Sequence, residues 1–366
     1  MRCMSCADIS ALCARGISSS EWGGIAIREI SAYLEGVRAL EMEAFGAAKD
    51  VLRLVERAGP AVDLQEDEVR VRILASPINP ADLNWIEGTY GHRPDLPAVP
   101  GTEAVGEVVE SRHASLAVGT RVMFLGYAHG WQDERIVKGS ELCAVPTELA
   151  VTDLAMLKVN PATAWRMLQD FTRMQAGDVV VQNAANSGVG RCVIQIANAL
   201  GLRGVHFVRR RELIEELREL GAEHVFVDDE SGKAEAMELL SLWGKKASLA
   251  LNAVGGESAM RQFDFLAEGS VQVTYGAMSR RPVTVPNKFL IFRDISCRGF
   301  WLSRWLDQAA PPEIGAMYAQ LIEWIRAGKL VQAVDRVYEW AEYPQALERL
   351  KAPDRNGKVL FVADRS

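Results

Sequence analysis

The sequence predicts an α/β chain of two parts, a mostly-β first domain and then a doubly wound parallel sheet of six strands. Three observations predict it. Short apolar, β-branched runs separated by turn residues fill the stretch from Val37 to about residue 150. From Thr152 the apolar period lengthens to the helical one, and strands then alternate with helices as far as Phe300. The 366 residues are 49% hydrophobic and 24% charged, apolar enough for two cores of ordinary size.

Taken in order, Val37–Met42 and Val51–Glu56 read as strands about a turn, and Val69–Leu74 as a third. Ser76–Gly101 reads as a loop whose prolines (Pro77, Pro80, Pro94, Pro97, Pro100) each fix a backbone angle. It is therefore shaped, and long shaped loops inside compact domains are usually functional. Strands resume at Ala104–Glu110, Thr120–Leu125 and Glu134–Val137. Leu154, Leu157, Trp165 and Leu168 mark helical stretches up to Phe171. Strands follow at Val179–Gln182, Val205–Val208, His224–Val227, Leu249–Ala253, Val271–Tyr275 and Ile295–Phe300. Helices over Gly188–Leu200, Glu212–Leu220, Lys233–Trp243 and Ser258–Leu266 separate them. A last helix, Pro312–Ala327, and strands near Val337 and Val359 should return to the open edge of the first domain.

Composition excludes several classes of function. With 41 basic and 48 acidic residues the net charge is −7, so no basic field exists to hold nucleic acid or an anionic membrane. No run of 18 apolar residues is present to span a bilayer. Cys143, Cys192 and Cys297 read as small buried hydrophobes. Cys3 and Cys6 form a lone CxxC, with Cys13 nearby, and no second pair follows at zinc-ligand spacing. Residues 1–36 are Ser-rich and read as an extension without a secretory signature.

The segment VVVQNAANSGVG, Val179 to Gly190, runs from a buried strand through a turn of small residues into a helix. A helix N-terminus presents unpaired N–H groups and a partial positive charge, and small residues let a pyrophosphate approach the backbone. The next strand ends in Arg209, Arg210 and Arg211, with Arg209 lying 19 residues past Gly190. An acid at that distance receives the ribose diol of NAD, whereas arginines suit the dianionic 2′-phosphate of NADPH. A solvated charge run at a strand end is the plainer alternative; NADPH is the expectation.

At this point the motifs resemble a family. SPINPADLNWIEGTYGHRPDLPAVPGTE (Ser76–Glu103), VNPATAWRML, QNAANSGVG, LNAVGG, VTYGAM and RGFWLSRW resemble, in order and spacing, the zinc-free branch of the medium-chain dehydrogenase/reductase superfamily. Within that branch, which includes quinone oxidoreductase-like proteins, the nearest likeness is to mitochondrial-type trans-2-enoyl-thioester reductases. Arg210 stands where an acid is more usual and Pro100 where glycine is.

The resemblance implies a GroES-like catalytic domain over 37–153, completed by 306–366, and a Rossmann NADPH-binding domain over 154–305. It implies that Asn160 contacts the nicotinamide side, and that Asn186, Ser187, Gly188 and Val189 contact the pyrophosphate. Arg209, Arg210 and Arg211 would take the adenosine end. Tyr275, Gly276, Ala277, Met278, Phe300, Trp301 and Leu302 would wall the cleft, Lys358 would close it, and Tyr90 would donate the proton. It also implies homodimers that extend the cofactor sheet across a two-fold axis. The compartment expected is the cytoplasm, as in bacteria, with the mitochondrial matrix as the alternative.

The chemistry agrees with a metal-free reduction of an activated C=C bond. Where the zinc-dependent relatives carry Cys and His ligands, this chain has Asn79, Pro80 and Asp82, and His92 has no partner at ligand spacing. Hydride added to the β-carbon of an enoyl thioester builds charge on the carbonyl oxygen, and the α-carbon then needs a proton. A phenol of pKa about 10 is protonated at neutral pH and can donate it. A tyrosine that only packs its ring in a Gly-rich turn is the alternative for Tyr90. Trp301 and Trp305 would share a face if their segment is helical, and either could be core. An enoyl-CoA or enoyl–acyl-carrier-protein reductase leads these readings. A quinone or enone reductase and an idle NADPH-binding protein remain beside it.

Overall fold

The structure, a computed structural model, describes residues 36–57 and 63–363. The reading of 1–36 as an extension, and Cys3, Cys6 and Cys13 with it, lies outside the described residues apart from Gly36.

Strands β1 (Val37–Met42) and β2 (Leu52–Arg57) pair antiparallel as a hairpin. Strands β3 (Glu68–Pro77), β4 (Val105–Ser111), β5 (Arg121–Phe124), β6 (Glu134–Lys138) and β7 (Leu142–Ala144) belong to a second, larger sheet. Its central strand β3 alternates buried and partly exposed residues, the signature of a sheet with one wet face. The other large sheet contains β8 (Val179–Gln182), β9 (Arg203–Val208), β10 (Val225–Val227), β11 (Ala247–Asn252), β12 (Leu266–Thr274) and β13 (Ser296–Gly299). All its pairs are parallel, in the order β10-β9-β8-β11-β12-β13, and every residue of β8 is buried because helices cover both faces. The chain then returns: β14 (Val334–Tyr338) and β15 (Lys358–Val362) join the first large sheet, β15 lying antiparallel to β3.

The expected class is therefore the observed one. One core joins the two sheets, with Val105 and Met123 from the first, Val180 and Leu249 from the second, and Leu360 from the returning strand.

Several details differ. The helix Pro80–Ile86 interrupts the supposed loop. Pro80 supplies a first-turn φ, and the Asp82 carboxylate accepts the orphan Asn79 N–H at 2.7 Å. Residues Glu212–Leu220 split into a 3-10 turn, Arg211–Leu213, and a short helix, Ile214–Glu219. Helices Asn287–Ile291 and Leu302–Gln308 were not foreseen, nor was β7. Cys192 is buried as expected, but Cys143 is only half-buried and Cys297 is exposed, because β13 is an edge strand.

Candidate active site

The turn from β8 into the helix Gly188–Ala199 is built by close backbone approach. A Cβ on Gly190 would stand 2.6 Å from the Ala185 carbonyl oxygen, and one on Gly188 2.7 Å from Asn160 Nδ2. Ser187 caps the helix, its hydroxyl accepting from the Gly190 N–H at 3.1 Å. Asn186 and Val189 flank this cap, the Asn186 carbonyl accepting from Arg191 Nε. Gly188 brings two distant residues into contact: Asn160, the first residue of the helix Asn160–Asp170, and Lys358, the first of β15.

Beneath them lies a buried charged network. Lys358 Nζ donates to Asn79 Oδ1, and Asn79 Nδ2 donates to Glu103 Oε1 at 2.8 Å. The other Glu103 oxygen accepts the Val159 N–H at 2.8 Å. Lys158 Nζ donates to the carbonyls of Thr102 and Gly126, and Thr102 donates through its N–H and its hydroxyl to Asp82. Asp82 and Glu103 have no exposed surface, and both lysines are buried. Burial raises both carboxyl pKa values, opposed for Glu103 by Lys358. Burial likewise lowers both lysines, Lys158 to about 8, with Glu103 and Asp82 holding them up. Sequence reasoning missed Thr102, Glu103 and Lys158, and saw Asn79 and Asp82 only as the place of missing metal ligands. No local pattern marks this network, whose members lie up to 279 residues apart.

Tyr90 follows the helix Pro80–Ile86 and is half-buried. Its hydroxyl oxygen accepts a hydrogen bond from Trp301 Nε1 at 2.9 Å, and the two rings meet edge to face. A Cβ on Gly91 would stand 3.1 Å from the Trp301 ring, so glycine is what admits this approach. Burial raises the Tyr90 pKa, with a further push from the Asp82 carboxylate. Tyr127, also near Asp82, and His129 complete this aromatic corner. His129 Nδ1 lies 2.7 Å from the Val99 carbonyl, and burial holds its pKa down at about 4, so the ring is neutral.

The remaining predicted residues divide. Tyr275 follows β12 with its hydroxyl buried near Ser187 and no well-formed hydrogen bond. Gly276 packs on the Ala253 backbone, while Ala277 and Met278 are exposed. Phe300 follows β13 and meets Phe171 edge to face, but Leu302 turns into the core instead of lining a cleft. Trp301 and Trp305 part company. Trp301 precedes the helix Leu302–Gln308 and reaches Tyr90, Trp305 lies under the Arg166 guanidinium at 4.2 Å, and neither is fully buried. Arg209 and Arg211 are exposed at the end of β9 with no partner among the described residues. Arg210 instead donates to the Pro353 carbonyl at 3.0 Å and so departs from the expected trio.

This arrangement fits a phosphorylated dinucleotide. Asn160 Nδ2 is a buried donor without a partner, facing the glycine turn. Arg209 and Arg211, exposed after β9 and without a partner among the described residues, suit a 2′-phosphate chemically. Among the described residues no group of three or more His, Cys, Asp and Glu is placed to hold a metal ion, and no helix is long and apolar enough to cross a membrane.

Comparison with known proteins agrees with the geometry. Residues 65–147 match the alcohol dehydrogenase GroES-like domain, and residues 188–327 the family described as zinc-binding dehydrogenase. The chain is 40% identical over 337 residues to the mitochondrial enoyl-[acyl-carrier-protein] reductase of Xenopus tropicalis, covering 89% of this chain and 95% of that protein. The human counterpart is 40% identical over 333 residues, covering 89% and 88%. Among solved structures, the Etr1p complex with NADP and crotonyl-CoA superposes with a TM-score of 0.82 at 28% identity, covering 89% of this chain and 99% of that one. The mitochondrial 2-enoyl thioester reductase Etr1p/Etr2p heterodimer of Candida tropicalis gives 0.81 at 27%, covering 90% and 100%. The chain belongs to the mitochondrial-type enoyl-[acyl-carrier-protein] reductases, a zinc-free branch of the medium-chain dehydrogenase/reductase superfamily.

Proposed function

We propose that this chain reduces the C2=C3 double bond of trans-2-enoyl thioesters, carried by coenzyme A or by acyl carrier protein, at the expense of NADPH. The observation that carries the reading is the half-buried Tyr90, its hydroxyl held by Trp301 Nε1, in a chain whose relatives are enoyl reductases.

Bound NADPH supplies the hydride that adds to the β-carbon. The chain's own residues do the rest. An indole N–H only donates, so Trp301 occupies a lone pair of the Tyr90 oxygen and leaves the phenolic hydrogen to be given away. The raised pKa keeps that proton on the oxygen at neutral pH until the α-carbon takes it. In this reading Asn186, Ser187, Gly188 and Val189 hold the pyrophosphate, and Arg209 and Arg211 the 2′-phosphate. Asn160, Tyr275 to Met278, Phe300, Trp301 and Lys358 border the nicotinamide. We take 154–305 as the domain that binds NADPH, and 37–153 with 306–366 as its partner.

The active unit is a homodimer. Among the described residues β13 is an unpaired edge of the parallel sheet, and shortly before it in the chain Leu290, Ile291 and Phe292 are exposed, Phe292 by 77%. The named relatives are mitochondrial, which favours the matrix over the cytoplasm initially expected. The direct test is NADPH oxidation by the purified protein with crotonyl-CoA and, separately, with a quinone. Turnover of the thioester is expected, and turnover of the quinone alone would replace this reading by the quinone-reductase one.

A further inference from the structure

Against Trp301 the surface opens into a cavity of about 510 Å³. Phe171, Phe300, Trp301 and Trp305 make its aromatic wall, and Arg298 and Arg304 stand on it. The acid that shares the cavity, Asp170, is already engaged by Arg166. Arg298 and Arg304 are exposed and have no acidic partner among the described residues. Each lies over an aromatic ring, Arg298 over Phe171 at 5.9 Å and Arg304 over Trp301 at 5.8 Å. Stacking of this kind orders a guanidinium without using its N–H groups. Two ordered cations with free donor forks, beside an apolar wall, suit a ligand that ends in a phosphate behind a flexible, partly apolar arm.

The cavity also adjoins the proposed chemistry directly, because one indole serves both. The Trp301 N–H holds the Tyr90 hydroxyl while its ring walls the cavity. Trp301 is thus the residue that links a thioester carbonyl placed at Tyr90 to the cavity that carries the two arginines. Resting on the enoyl-thioester reading, we propose that this cavity receives the pantetheine arm of the substrate and that Arg298 and Arg304 bind its 4′-phosphate. That group is common to coenzyme A and to acyl carrier protein. The arginine side chain of β13 leaves the sheet across its face, so pairing of the strand's edge with a second subunit does not consume it.

The test compares three crotonyl thioesters, those of coenzyme A, acyl carrier protein and N-acetylcysteamine, the last lacking any phosphate. Arg298→Ala/Arg304→Ala is measured against the unmodified protein. The expected result is a fall of about tenfold to a hundredfold in kcat/KM, carried by KM, for both phosphate-bearing substrates, with the N-acetylcysteamine ester unaffected. Arg298→Lys/Arg304→Lys should recover part of the loss, which separates lost charge from misfolding. Calorimetric titration with 4′-phosphopantetheine should show binding that the alanine pair abolishes, and pantetheine should bind weakly to both. Equal losses on all three thioesters, or none, overturn the proposal while leaving the reductase reading intact. A loss confined to crotonyl-CoA also overturns it, because coenzyme A's other phosphates would then be what is read. Failure of the unmodified protein to turn over any of the three removes both readings together.

Discussion

At Tyr90 the choice between a proton donor and a packed ring comes down to one oxygen atom. Tyr90→Phe keeps the ring that meets Trp301 edge to face but removes the acceptor of its N–H. Turnover with an enoyl thioester should fall by about 10²–10⁴-fold with NADPH affinity nearly unchanged, and the solvent isotope effect should change as water takes over protonation. Stability should fall by only about 1–3 kcal/mol, for one half-buried donor left unpaired. A Phe variant as fast as the parent would reduce Tyr90 to packing. The three arginines after β9 invite a sharper comparison, because the structure does not treat them alike. Arg209 and Arg211 have no partner among the described residues, whereas Arg210 already donates to the Pro353 carbonyl. Arg209→Ala/Arg211→Ala should weaken NADPH binding by about a hundredfold or more and leave NADH almost untouched. Arg210→Ala should cost NADPH binding far less. Cofactor titrations followed by nicotinamide fluorescence decide it, and equal losses for NADPH and NADH would refute the arginine argument.

The elements themselves were legible wherever a local pattern suffices. The six parallel strands, the glycine turn and the returning C-terminal strands all follow from periodicity and punctuation, since buried strands between amphipathic helices have few other solutions. The helix Pro80–Ile86 was not read because its prolines speak for a loop, although Asn79, Pro80 and Asp82 together are a helix-start signal. The network that joins Glu103 and Lys158 to the expected Lys358 was illegible for a different reason. Its partners meet only through tertiary packing, and a lysine bound for the interior looks like any surface lysine in sequence. The reverse error befell Cys297, read as buried from apolar neighbours, because being the last strand of a sheet is a property of topology. That same edge yields a prediction. If β13 pairs with its copy, Phe292→Glu places a charge in the apolar patch beside the seam and should shift the protein from dimer to monomer. Light scattering coupled to size exclusion measures this, and an unmodified protein that is monomeric at micromolar concentration would remove the dimer.

For the molecule as a whole, ionisable groups buried in several elements couple folding to pH, and they do not all pull the same way. His206 lies in β9, one strand in from the β10 edge of the parallel sheet, buried, with Nδ1 2.9 Å from Gln182 Nε2. Burial, with a smaller push from His224, holds its pKa down at about 3. The unfolded chain binds that proton near pH 6.5, so between about 6.5 and 3 the unfolded state holds more protons than the folded one. The stability associated with neutral His206 is complete above pH 6.5 and drains away as the pH falls through that window, by up to about 1.4 kcal/mol per pH unit. His129, held at about 4 chiefly by burial, acts in the same direction over a narrower range. Asp82 and Glu103 act in the opposite one: burial raises their pKa values, so acidification relieves the cost of keeping them charged inside. The shape of the parent's curve therefore does not isolate any one of them, but a difference between two curves does. His206→Asn keeps a polar group beside Gln182 and removes the titration. It should lower stability at pH 7 and flatten the acid limb between pH 6 and 4 by about 1.4 kcal/mol per pH unit relative to the parent. Denaturant unfolding at half-unit pH steps measures both slopes, and parallel acid limbs would show that His206 is not what acid attacks.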